Sequence, residues 1–168
     1  MGDPKSSTSF PSPDHDHGRC VAHTLERAEA TFDAKGLRLT PLRRRVLEEI
    51  AGSHHAVGAY DVLDRLARKG GRRLAPISVY RVIDVLLEAG VVHRLESRNA
   101  FFACHTPHAG DRRQIVLACE HCSLVAEVPG EPVFESIAKA ARLAGFTPSR
   151  SMVEIAGSCK RCASTISS

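Results

Sequence analysis

Apolar residues recur at helical intervals through the first hundred positions and at alternating intervals afterwards. In "VAHTLERAEATFDAKG", Val21, Leu25, Ala28 and Phe32 share one helical face, and Gly36 stands where a C-terminal cap belongs. "LTPLRRRVLEEIAG" offers Thr40 as N-cap, Pro41 at the first helical position, and Leu42, Val46, Leu47 and Ile50 on one face. "GAYDVLDRLARKGG" repeats the plan with Tyr60, Leu63 and Leu66 before a glycine pair. "APISVYRVIDVLLEAG" starts at Pro76, turns Val79, Val82, Ile83 and Leu86 inward, and stops at Gly90. Two short runs, "VVHRLE" and "AFFACH", joined by the polar turn "SRN", predict a β-hairpin.

Helices followed by a two-stranded wing predict a winged-helix module, the helix-turn-helix variant with an added hairpin. After the loop "CHTPHAGDRR" the period changes. "QIVLAC", "LVAEV" and "SMVEIAG" read as strands, with the amphipathic helix "EPVFESIAKAARLAG" between the last two. The expected class is α+β: an N-terminal winged helix-turn-helix DNA-binding domain followed by a small α/β domain. The expected boundaries are a flexible tail over 1–19, the winged helix over 20–103, a hinge loop over 104–112, and the second domain over 113–168.

Composition narrows the partners. The chain has 168 residues, enough for one large domain or two small ones. Its longest apolar run falls well short of the ~18 residues that suggest a membrane span. The polar start "MGDPKSSTSFPSPDHDHG" lacks a secretory apolar segment and reads as a cytoplasmic tail. The net charge of +4 is unevenly spread. Residues 36–98 hold 12 basic and 7 acidic side chains, against 4 and 6 before them and 7 and 6 after. A polyanion would dock on that middle segment; a solvated helix face is the plainer reading of the same excess.

Six cysteines without an export signal argue for thiolate ligands over disulfides. Cys119 and Cys122 lie between two predicted strands, and Cys159 and Cys162 just past the last one. Two C-x-x-C turns can supply the four-sulfur tetrahedron that zinc accepts, tying the end of the chain to the strand near residue 119. Such a structural zinc would carry much of the small domain's stability. Redox thiols or packed cysteines are the alternatives, but thioredoxin-like chemistry uses one C-x-x-C at a helix start.

"RLTPLRRRVLE", "ISVYRVIDVLLEAGVVH" and the paired C-x-x-C turns around a strand–helix–strand unit resemble the ferric uptake regulator family over roughly residues 20–165. The resemblance implies a homodimeric, metal-responsive DNA-binding repressor whose second domain mediates dimerisation. The iron-sensing branch carries an "HHHDH"-like run before its first C-x-x-C, and this chain has "HAGDRRQIVLAC" there. His93, Cys104 and Glu127 instead resemble the sensor ligands of the zinc uptake regulator branch, built from His, Cys, His and Glu. That branch's second histidine position holds Arg112, which cannot ligate; His108 is the preferred substitute and His105 the alternative. A thiolate ligand favours zinc over iron or manganese. Taken singly, His93, Cys104 and Glu127 are ordinary strand or core residues.

"HDHGRC" gives His15, His17 and Cys20 ligand-like spacing, a third zinc site or simply a polar tail. His54 and His55 read as loop residues without a specific role, and His121 as a hydrogen-bond donor beside the thiols. On the helix from Pro76, the exposed face should carry Ser78, Tyr80 and Arg81. Arginine reads guanine in the major groove, and the resemblance implies that the Tyr80–Arg81 pair contacts DNA. Arg43, Arg44, Arg45, Arg94 and Arg98 suit phosphate contacts, which position without specifying sequence.

Together these features predict a repressor of zinc-uptake genes that binds operator DNA when zinc is ample. One ion bridging hinge and dimerisation domain would set the spacing of the two recognition helices. A regulator sensing iron, manganese or peroxide is the runner-up. A zinc-dependent hydrolase is weaker, since no His-Glu-x-x-His pattern or nucleophile constellation is present. A zinc-storage or zinc-delivery protein would leave the Tyr80–Arg81 helix and the basic middle segment unexplained.

Overall fold

In the computed structural model, Phe10 and residues 16–69, 74–104, 113–149 and 151–166 are described. In chain order these form α1 (His17–Ala34), α2 (Pro41–Ala51), α3 (Ala59–Arg68), α4 (Pro76–Ala89), β1 (Val92–Leu95), β2 (Ala100–Ala103), β3 (Gln114–Cys119), β4 (Val125–Pro129), α5 (Glu131–Leu143), β5 (Val153–Gly157) and α6 (Lys160–Ile166). The chain divides near residue 105 into two compact units. No helix among the described residues is long and apolar enough to cross a membrane.

Local chemistry sets the helix ends of the first unit. Thr40 caps α2 by accepting a hydrogen bond from the Arg43 amide, and Pro41 follows at the first turn. Gly90 ends α4 in the left-handed region at φ 79°, which a side chain would strain. Lys35 adds a cation at that end, its ammonium donating to the carbonyls of Glu88 (3.3 Å) and Ala89 (2.9 Å).

Phe32 of α1, Val46, Leu47 and Ile50 of α2, Val62 and Leu66 of α3, and Val79, Ile83 and Leu86 of α4 meet in one core. Each such burial stabilises by about 1.5–3 kcal/mol. The wing is antiparallel, with His93 opposite Phe102 and Leu95 opposite Ala100. The loop before α3 is pinned to it by reciprocal 2.8 Å bonds between Val57 and Phe101.

Two expectations shift here. α1 begins at His17, inside the stretch read as tail, because the Asp16 side chain accepts from the Arg19 amide and caps a first turn there. The buried face of α3 is Ala59, Val62 and Leu66, with Leu63 half-buried against the same core; of the expected Tyr60, Leu63 and Leu66, only Tyr60 lies outside. Tyr60 is 65% exposed, and its ring lies edge-on to Tyr80 with centroids 6.3 Å apart.

The second unit is a three-stranded sheet in the order β4-β3-β5. β3 runs antiparallel to β4 and parallel to β5, and the parallel pair requires the crossover that α5 supplies. Phe134 is the buried anchor of α5. Gly130 precedes that helix where a Cβ would fall 2.5 Å from Ile115 Cγ1 and 3.1 Å from the Phe134 ring. Ile115 is buried in β3, so Gly130→Ala is expected to destabilise this unit by about 1–3 kcal/mol. Chemical denaturation followed by a probe in residues 113–166 checks it.

α6 was not read from the sequence. It starts immediately after Cys159 and carries Cys162 in its first turn.

Candidate metal centres and nucleic-acid interface

The parallel register sets Cys119 opposite Gly157, two residues before Cys159. The Glu120 amide bonds the Gly157 carbonyl at 2.8 Å, closing the two chain ends together. After Cys119 the chain turns through Ser123 at φ 60°, and the Ser123 amide returns to the Cys119 carbonyl at 3.0 Å. The sulfurs of Cys119, Cys122, Cys159 and Cys162 consequently lie within 4.8 Å of one another.

A zinc–sulfur bond of about 2.3 Å at tetrahedral angles spaces its sulfurs about 3.8 Å apart. Cys122 Sγ and Cys159 Sγ stand 3.8 Å apart. All six cysteines are free thiols, so no disulfide competes for this geometry. The cluster can hold a metal, and its donor set fits a soft or borderline ion.

The four thiols are not equivalent. Burial pushes Cys119 up, but the amides of Cys159, Cys122 and His121 and the Cys122 thiol donate to its sulfur and bring it down to about 6. The Cys159 amide reaches that sulfur at 3.4 Å. Burial and hydrogen bonds given to the neighbouring sulfurs push Cys162 up to about 12. His121 thus acts through its backbone, its exposed ring being outside the core.

Arg161 was missed in the sequence. A hydrogen bond to Cys122 and the surrounding sulfur charge hold its guanidinium above its usual value, and that cation offsets the excess charge of four thiolates.

The ion must displace protons, so the sign of the pH effect follows. Cys119 is already thiolate above about pH 6 and competes with metal only below it, whereas Cys162 surrenders a proton throughout. Zinc retention against a chromogenic chelator is expected to fall as pH drops, and to fall more steeply below about 6 where Cys119 also takes up a proton. A flat profile from pH 7.5 to 5 would contradict it.

The second centre begins in the hairpin. His93 faces Phe102 across the strands, and the Cys104 amide bonds the Val91 carbonyl at 3.1 Å, so the register continues one pair further. His93 and Cys104 therefore sit diagonally on one face of the wing. Their ligand atoms are within 4.8 Å of each other, Cys104 is buried, and the His93 ring leans on Phe102 with centroids 5.6 Å apart. The Arg27 guanidinium of α1 donates to the Cys104 carbonyl and fixes that residue's backbone. In the second unit, Glu127 is half-buried on β4 opposite Val116. His105, His108, Arg112 and His15 lie outside the described residues.

His17 and Cys20 lie one turn apart on α1. No group of three ligand atoms within 4.8 Å forms around them among the described residues.

On α4, Arg81 is exposed, and Ser78 and Tyr80 are half-buried. Arg44 is exposed and pairs with Glu29 and Glu48, the latter at 3.4 Å. Arg43 donates to the Arg38 carbonyl at 2.5 Å, and Arg45 is half-buried. On the wing Arg94 pairs with Glu96 at 3.3 Å and donates to Asn99 at 2.7 Å, while Arg98 is exposed.

Residues 34–156 match the ferric uptake regulator family. The chain belongs to that family. It is accordingly a DNA-binding, metal-responsive transcription regulator, not an enzyme. It is 34% identical over 138 residues to the zinc uptake regulation protein of Escherichia coli, covering 82% of this chain and 80% of that one. The peroxide operon regulator of Bacillus subtilis is 30% identical over 149 residues, covering 84% and 95%.

Among solved structures, a zinc uptake regulator complexed with zinc and DNA is similar at a TM-score of 0.79 and 31% identity, covering 88% of this chain and 98% of that one. The crystal structure of holo XcZur follows at 0.75 and 37%, covering 84% and 98%. These neighbours agree with the α+β fold, a helical N-terminal region followed by a β-rich C-terminal part.

Proposed function

We propose that this regulator senses zinc and represses zinc-uptake genes as a cytoplasmic homodimer on operator DNA. The observation that carries the reading is the buried Cys104 thiol beside the His93 imidazole, within 4.8 Å, just beyond the α4 helix. A sulfur–nitrogen pair selects zinc over the harder iron and manganese ions. Glu127 is the proposed third ligand and His108 the fourth, with His105 as substitute. Cys119, Cys122, Cys159 and Cys162 are proposed to hold a second, structural zinc. The zinc uptake regulators among the similar proteins support the choice of metal.

Dimerisation is supported by apolar side chains left exposed in the second unit: Val133, Leu143, Phe146, Met152 and Ile155. In a dimer the two α4 helices read half-sites at a spacing set by the protein's symmetry. An ion joining the hinge to the dimerisation domain binds best when that spacing is correct. Zinc and DNA therefore strengthen each other's binding.

The test is fluorescence anisotropy on a DNA fragment selected from a random-sequence pool, with zinc, manganese or iron(II) at equal free concentration. Zinc is expected to tighten binding; a response confined to manganese or iron would overturn the zinc reading and favour the peroxide-type relatives. On the same fragment, Arg81→Ala is expected to cost about 1–3 kcal/mol and relax base preference. Arg43→Ala should weaken specific and random DNA alike. Equal losses for Arg81→Ala on both DNAs would remove that residue from base reading.

A further inference from the structure

His54 has no role evident in the sequence, yet it is 7% exposed and its ring lies beside that of His17. The two rings have centroids 5.1 Å apart and are tilted by 40°. Two imidazoles sharing one tetrahedral ion, each at a metal–nitrogen distance of about 2.0–2.1 Å, have centroids about 5 Å apart. The two ring centroids stand at that spacing, with His54 buried and His17 exposed. Cys20 lies three residues after His17, on the same face of α1 one turn along.

The geometry points to a further divalent-cation site within the DNA-reading unit, with His17 and His54 as imidazole ligands and Cys20 as thiolate. The two rings already stand at the required centroid spacing, and the Cys20 sulfur, one turn along α1, would join them through a change of χ1 rotamer. Both histidines bind as neutral rings, and the thiol gives up one proton to solvent as the metal–sulfur bond forms. Two nitrogens and one sulfur suit zinc, with water in the remaining position. An open site of that kind exchanges its metal more readily than a closed four-sulfur cage.

A cation at the start of α1 opposes the helix dipole, but the Asp16 carboxylate that caps this helix and the Cys20 thiolate both counter it. Occupancy would clasp the start of α1 to the loop that Val57 pins onto the wing at Phe101. The site shares no ligand with the sensor proposed above.

The test uses the full-length Cys104→Ser protein with its four-cysteine centre loaded with zinc, which leaves Cys20 as its one unliganded thiol. Cobalt(II) titration is expected to show one further ion per chain with a sulfur-to-cobalt charge-transfer band in the near ultraviolet. Adding Cys20→Ser should abolish the band. His17→Gln, at an exposed position, should weaken uptake at least about tenfold, no less than the loss of an outer-sphere partner. His54→Gln should do the same, checked for folding by circular dichroism. A band that survives Cys20→Ser, or uptake unchanged by His17→Gln, would overturn the site. Zinc-responsive DNA binding that persists in Cys104→Ser would instead count against the sensor and leave this site standing.

Discussion

Cys159→Ser is expected to release one metal per chain and to unfold much of residues 113–166. The apolar core of that unit is thin: among the described residues, Ile115, Val116, Ala118, Val125, Ala126 and Phe134 are its buried members besides Cys119 and Cys159. Ordering each backbone residue costs about 1–2 kcal/mol, and six modest side chains offset only part of that for a unit this size. Four thiolates around one ion would add stability on the order of 10 kcal/mol, as in comparable small zinc modules.

Serine keeps the size of Cys159 and its backbone amide but removes the sulfur 3.8 Å from Cys122, leaving three thiols for the ion. Calorimetry should show the melting of the second unit collapse toward that of chelator-stripped protein, while the core around Phe32 and Leu47 melts as before. A variant that keeps both its metal count and its melting profile would show that the cluster is idle.

The parts legible in the sequence are those fixed by local rules. α2 and α4 announce themselves through Thr40, Pro41, Pro76 and Gly90, whose preferences depend on a few neighbouring residues. The C-x-x-C pairs carry their chemistry in their spacing. What was misread depends on contacts far along the chain. Tyr60 fits a helical apolar face by period, but Ala59 and Val62 take the buried positions and Tyr60 stays exposed. α6 is a seven-residue helix with no strong periodicity, held where the cysteine turn ends. Arg27 reaches a carbonyl 77 residues away, and Arg161 reaches Cys122 across 39 positions of chain. His54 gains meaning only from His17, which lies in a different element.

Cys104→Ser should leave the fold and the four-cysteine metal intact yet remove zinc-dependent DNA binding, lowering the zinc effect on operator affinity by about 5–150-fold. Its side chain is buried on the His93 face of the wing, its amide is bonded to Val91, and its carbonyl is held by Arg27. Those backbone bonds survive a serine, so the wing keeps its register. The hydroxyl is nearly isosteric but is a much poorer zinc ligand than a thiolate, which the metal stabilises by deprotonating it. In the proposed reading, coupling would arise because one ion is shared between parts of the chain that DNA also positions. Weakening a single bond therefore shifts the linkage more than it shifts stability. Isothermal titration of zinc in the presence and absence of operator measures both sides of that linkage, and they must agree. If Cys104→Ser shows the parental zinc response on DNA, the effector ion sits elsewhere in the molecule.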